Sequence, residues 1–128
     1  INLAPAADVP DELLGRANIL VVNQTEAEFY GERLHRVGGL VVETYGAAGA
    51  SIFRDGEKIA AANAPTIDAV DTTGAGDCFT AALTVAIAEG KAPQAALEFA
   101  CAAGAAAALK PGAQPSLPYR QDVDAMIA

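Results

Sequence analysis

The sequence predicts an α/β fold, a sheet of buried strands with helices packed on both of its faces. Two observations carry that prediction. Ile19–Val22 and Leu40–Tyr45 are short runs dominated by branched apolar residues, the pattern of strands covered on both sides. The segments around them have helical spacing instead: from Ala75 to about Glu89, Phe79, Leu83 and Ile87 recur every four positions. Buried strands alternating with such helices belong to a layered sheet joined by helical crossovers.

The elements follow in order. Ile1–Ala7, with Pro5, reads as a strand end or loop. Pro10–Leu14 reads as a short helix with acidic residues in its first turn, where the helix dipole favours them. Ile19–Val22 is the first strand. Asn23 ends it, and a helix runs from Glu26 to about Leu34, interrupted or ended near Gly31. Gly38-Gly39 breaks the chain before the strand Leu40–Tyr45. Gly46–Gly49 is a turn of small residues. Ala50–Phe53 and Lys58–Ala62 flank Asp55-Gly56, the signal of a β-hairpin. Asp68–Asp71 leads into a Gly-rich segment, Thr72–Asp77, and then the long helix that Gly90 closes. Pro93 suits the first position of a second long helix, reaching about Leu109. Pro111-Gly112 stops it, and Pro118 opens a last short helix to Ile127.

The composition narrows the function. The chain has 128 residues, enough for one domain with a core, and 52% of them are hydrophobic. Only 5% are aromatic, so much of the packing falls to alanine. A net charge of −8 argues against nucleic-acid partners, which demand a basic face. An acidic protein binding a phosphorylated ligand must use backbone donors and a metal ion. No run is long and apolar enough for a membrane span, and no leader opens the chain. The two cysteines, Cys78 and Cys101, lie in helical stretches with no metal-binding spacing. They read as reduced core thiols, which fits a cytoplasmic location. His35 reads as a surface helix residue. The chain opens on Ile1 rather than Met, so a fragment or a processed chain is expected.

The strongest local signal is Val70-Asp71-Thr72-Thr73-Gly74-Ala75-Gly76-Asp77. Small residues let the backbone approach a ligand, and the first amides of a helix have no internal partner. Loop and helix start together make an anion site. Asp77, in the first turn, is placed to take the proton of a hydroxyl attacking a bound phosphoryl group. The alternative is an ordinary glycine turn with Asp77 as an N-terminal helix residue. A Walker A loop is excluded, since no Gly-x4-Gly-Lys-Ser/Thr string exists. A dinucleotide fingerprint would need glycine where Phe79 stands.

Asp71-Thr72-Thr73-Gly74-Ala75-Gly76-Asp77 resembles the Asp-Thr-x-Gly-Ala-Gly-Asp signature of the ribokinase family, the carbohydrate kinases of the phosphofructokinase-B type. Four other segments agree in order. Asn2–Ala6 is similar to a loop of that family. Asn23-Gln24-Thr25-Glu26 is similar to its Asn-x-x-Glu motif. Thr44–Gly49 resembles its Thr-x-Gly-x-x-Gly nucleotide loop, and Gly112–Ser116 its C-terminal segment. The resemblance spans essentially the whole chain. It implies the C-terminal, nucleotide-binding and catalytic part, residues 1–128, of a ribokinase-like three-layer α/β/α sandwich. The sugar-binding N-terminal half and lid would be absent, and with them the usual dimer contact.

The implied activity is transfer of the ATP γ-phosphate to a primary sugar hydroxyl, ribose first. Asp77 is implied as the base, with the amides of Gly74, Ala75, Gly76 and Asp77 as an anion hole. Asn23, Thr44, Tyr45, Gly46, Ala47, Ala48, Gly49, Gly76 and Cys101 are implied at the nucleotide. Glu26 would serve Mg²⁺ through water. An activating K⁺ would take the Asp71 carboxylate, the carbonyls of Thr73, Ala107, Lys110 and Gly112, and the Ser116 hydroxyl.

Two departures stand out. Family members are longer, so this chain alone is expected to turn over sugar poorly. The stretch from Glu28 to Leu40 is also shorter than the family's connection. Competing readings are a fructokinase, ketodeoxygluconate kinase or nucleoside kinase of the same family, a non-catalytic nucleotide-binding module left by truncation, and an oxidoreductase domain that Phe79 disfavours.

Overall fold

The computed structural model describes residues 1–128. Its sheet has four strands in the order β1 (Ile19–Asn23), β2 (Leu40–Thr44), β3 (Ala50–Arg54) and β4 (Glu57–Ala62). β1 and β2 are parallel, with Asn23 beside Thr44 at their carboxyl ends. β2–β3 and β3–β4 are antiparallel. Asn2 bridges to Val21 in parallel, so the chain start runs along the free side of β1. Asp55 and Gly56, both at positive φ, turn the predicted hairpin; that pairing matches the twist of the flanking strands.

Because strand side chains alternate, β1 serves two cores. Leu20 and Val22 face one side, with Leu14 of α1 (Asp11–Gly15) and Tyr30 of α2 (Gln24–Tyr30). Val21 faces the other, with Val42, Ile52 and Ala60 of the later strands. That larger core is closed by α3 (Ala75–Ala88), α4 (Pro93–Ala107) and α5 (Arg120–Ile127). Ala96, Ala100, Ala103 and Ala107 form a fully buried stripe along α4. Each lacks bulk, so α4 lies close to its neighbours. Larger residues, Leu83 and Leu97, fill the space that remains, both 0% exposed and each contributing about 1.5–3 kcal/mol of burial. Gly104 marks a close approach of α4 to α3, where an added Cβ would meet the Ala75 carbonyl oxygen at 3.2 Å and the Phe79 Cβ at 3.5 Å.

Element ends shift slightly from the sequence reading. α2 starts at Gln24 because Asn23 and Glu26 form a reciprocal cap. It ends at Tyr30, and Gly31 to Arg36 continue as 3₁₀-helix. α3 and α4 stop at Ala88 and Ala107, one and two residues early, and α5 begins at Arg120. Both faces of the sheet are covered as expected, though unequally. The α1–α2 layer lies over β1 and β2. Beyond it, Leu34, Val37, Val41 and Phe53 line an open cleft of ≈ 190 Å³ on the outer face. The crossover between β1 and β2 contains only seven residues of α-helix and one 3₁₀ segment, too little to cover β3 and β4 as well.

Two side-chain clasps hold the periphery. Arg120 makes two bonds to the Glu89 carboxylate, at 2.7 and 2.9 Å, and lies over the Phe99 ring at 4.8 Å. Gln94 bonds both backbone groups of Ala61 on β4, receiving from the amide at 3.3 Å and donating to the carbonyl at 2.9 Å.

Candidate active site

The site forms at the carboxyl ends of β1 and β2, where open α/β sheets place their ligands. Val70 and Asp71 donate to the Ala108 carbonyl at 2.8 and 3.2 Å, which seats the Gly-rich segment against the end of α4. Gly74 then caps α3 at φ 77°, a left-handed conformation that a side chain would strain. The turn leaves the N–H groups of Gly74, Gly76 and Asp77 without a hydrogen bond in the chain, whereas Ala75 donates to the Thr72 carbonyl at 3.1 Å. Three of the four amides expected for an anion hole are thus free, and the fourth closes the turn.

Asp77 is exposed at the third position of α3. Its carboxylate has one side-chain partner, Asn2, whose Nδ2 donates to Oδ1 at 3.4 Å. It faces solvent.

Beside this helix start lies a cleft of ≈ 440 Å³. Of the residues expected at the nucleotide, it brings together Thr44, Gly46, Ala47, Gly49, Gly76 and Cys101. Ala75 joins them. Asn23, Tyr45 and Ala48 do not line the cleft. Asn23 stands next to Thr44 across the strand pair, and the Tyr45 amide closes the loop on the Gly49 carbonyl at 2.8 Å. Sequence reasoning missed the far wall. Pro65, Thr66 and Ile67 lie on a strap without regular secondary structure that carries no motif. Gly104, Ala105 and Ala108 join Cys101 on one face of α4. Their spacing from Cys101, at three, four and seven residues, is a stripe of small side chains that could have been read directly.

Cys78 and Cys101 are buried thiols, as expected. Burial pushes the Cys101 thiol up to about 11, with Glu98 adding to it, so it lines the cleft as a neutral group. His35 is 67% exposed beside Glu32, also as expected.

Glu26 is 5% exposed. Its Oε2 accepts from the Asn23 amide at 2.8 Å, and its amide donates to Asn23 Oδ1 at 2.9 Å. The second carboxylate oxygen has no donor in the chain, so Glu26 has capacity for a metal-bound water. Asp71 is an anchor. Oδ1 accepts from the Thr73 amide at 2.9 Å and Oδ2 from the Gly112 amide at 2.8 Å. The Thr73 hydroxyl, the Gly112 amide and the Thr73 amide together hold its carboxyl down at about 2. This clamp joins the Gly-rich turn to the C-terminal segment. There the carbonyls of Ala107, Lys110 and Gly112, and that of Thr73, accept no backbone hydrogen bond. Ser116 is 1% exposed and donates to the Ala113 carbonyl at 2.7 Å. An all-oxygen set with unspent lone pairs fits a large hard cation.

The profile of the pfkB family carbohydrate kinases matches residues 2–120. The chain belongs to that family. It is 37% identical to the ribokinase of Arabidopsis thaliana, over an alignment that covers 90% of this chain and 35% of that protein. The crystal structure of Thermotoga maritima ribokinase superposes with a TM-score of 0.87 at 32% identity, over 98% of this chain and 47% of that one. The Arabidopsis enzyme solved with ribose and ATP gives 0.83 at 36% identity, over 92% and 43%. The α/β sandwich expected from the sequence is therefore the fold of this family. The chain spans less than half the length of these relatives.

Proposed function

We propose that this chain is the nucleotide-binding and catalytic portion of an ATP-dependent sugar kinase, acting on a primary hydroxyl and most like a ribokinase. The observation that carries the reading is the start of α3. Free amides of Gly74, Gly76 and Asp77 stand beside an outward carboxylate, at the mouth of a cleft large enough to hold much of a nucleotide. The family membership and the similarity to a ribokinase solved with ribose and ATP support it.

In this reading the nucleotide lies between the Thr44–Gly49 loop and the Cys101–Ala108 face of α4. Its γ-phosphate meets the free amides, which oppose the charge that develops on the phosphoryl oxygens. Asp77 takes the proton from the sugar hydroxyl as that oxygen attacks phosphorus. Asn23 and Tyr45 act from the rim. Glu26 would hold Mg²⁺ through water, and the ion would screen the phosphate charges. Asp71, Thr73, Ala107, Lys110, Gly112 and Ser116 would hold K⁺, which would stiffen the turn. The sugar pocket and any dimer contact belong to parts of the protein beyond this portion. The cytoplasm suits the two reduced thiols.

The test is a phosphotransfer screen on the intact protein with Mg-ATP, in K⁺ and in a large organic cation. Ribose as the best acceptor is the expected result. A preference for fructose, ketodeoxygluconate or a nucleoside reassigns the substrate within the family. ATP binding without transfer to any acceptor returns the chain to a non-catalytic nucleotide-binding module.

A further inference from the structure

The Asp77 carboxylate has a single side-chain neighbour, and it comes from the other end of the chain. Asn2 lies 75 positions away in sequence, and its Nδ2 sits 3.4 Å from Asp77 Oδ1. The backbone around Asn2 is fixed. The Val21 amide donates to the Ile1 carbonyl at 2.9 Å, and the Leu3 amide donates to the Val21 carbonyl at 3.3 Å. Leu3 is buried with Leu20 and Val22 against α1 and α2. By strand alternation Asn2 projects to the opposite side, where α3 begins. The carboxylate offers only acceptors, so the atom facing it must be the amide nitrogen. No lysine or arginine pairs with Asp77, leaving the carboxamide as its one side-chain guide.

We propose that Asn2 is a positioning residue for phosphoryl transfer. Its carboxamide holds one oxygen of Asp77, so that the other faces the hydroxyl to be deprotonated. This rests on the reading of Asp77 as the base. A carboxamide suits the task because it orients the carboxylate by hydrogen bonding and has no charge with which to compete for the proton. The separation is long for a hydrogen bond, as contacts in ligand-free sites often are before substrate tightens them. Its anchorage in the sheet edge gives the base a fixed reference that rotation about its own side-chain bonds cannot supply. Misplacement of a reacting group is felt in turnover more than in binding.

The experiment compares Asn2→Leu, Asn2→Asp, Asp77→Asn and the Asn2→Leu/Asp77→Asn pair in the intact protein. Turnover, KM for ATP and sugar, and Tm are measured for each. Asn2→Leu is expected to lower kcat about tenfold, the worth of one hydrogen bond to a charged group, with both KM values unchanged. Asn2→Asp, which sets like charges side by side, is expected to lower kcat further and serves if the leucine variant does not fold. In the Asp77→Asn background, Asn2→Leu is expected to add nothing, because it acts through the missing carboxylate. Normal kcat in both Asn2 variants, alongside an inactive Asp77→Asn, overturns the positioning role and leaves the base in place. A raised KM at unchanged kcat also overturns it, making Asn2 a binding contact. Near-normal turnover in Asp77→Asn removes the base, and the role of Asn2 with it.

Discussion

Asp71, in the Gly-rich turn, and Asp77, six residues on in the first turn of α3, do opposite things with their oxygens. Asp71 spends both on amides, Thr73 on one and Gly112 on the other, and is held ionised far into acid. Asp77 keeps its carboxylate at the surface with only Asn2 beside it. One therefore fastens the turn and the other is free for chemistry. On the proposed reading of Asp77 as the base, Asp77→Asn is expected to reduce kcat by about 10²–10⁴, the usual range for a general base, while leaving ATP affinity within a fewfold of the parent. A calorimetric ATP titration beside a turnover assay checks both halves. At this scale the sequence was informative about residue type and position, since the glycines and Asp77 lie in one short motif. It could not foresee that the Ala75 amide would turn inward to Thr72, because that depends on the hydrogen-bond geometry of the turn.

Among the elements, α3 and α4 form the platform that carries the site, and their contact depends on small residues. Leu97 is 0% exposed in the core beneath them. Leu97→Ala is expected to cost about 2–5 kcal/mol, read as a lower midpoint in denaturant unfolding. α5 is held differently, by Arg120 on Glu89. The Arg120 guanidinium holds the Glu89 carboxyl below its ordinary value of 4.5, chiefly through their hydrogen bonds. A carboxyl depressed in the folded state stabilises the fold above its unfolded value and ceases to do so as pH falls through the folded one. The Tm gap between the parent and Glu89→Gln is expected to be open at neutral pH and to close in acid. A gap that persists unchanged to low pH would rule the ion pair out as its cause. Helix spacing, the Asp-Gly turn and Pro93 made these elements legible in advance. Their last turns were not, because a helix end is set by capping and tertiary contacts that periodicity does not record.

For the molecule as a whole, a layered sheet was readable from two apolar runs, since only burial on both faces explains their composition. The unequal layers were not. Whether a crossover covers two strands or four depends on how much helix it contains, and Gly31 at φ 49° ends α2 after seven residues. The cleft was half legible. Its motif-bearing wall, the Thr44–Gly49 loop and the start of α3, announced itself. The Pro65–Ile67 strap opposite lacks any chemical signature and is recognised only once the chain has folded around the space.

The clasp of Gln94 on β4 has a consequence for how copies of this chain meet. A sheet's last strand normally offers its peptide groups to any extended chain that drifts past. At Ala61 the carboxamide of Gln94 engages both the amide and the carbonyl, standing in for a visiting peptide and occupying its berth. Gln94→Ala should leave turnover alone yet make concentrated solutions cloud, with light scattering rising over days. A variant that remains as monodisperse as the parent would mean that the berth is shielded by something else.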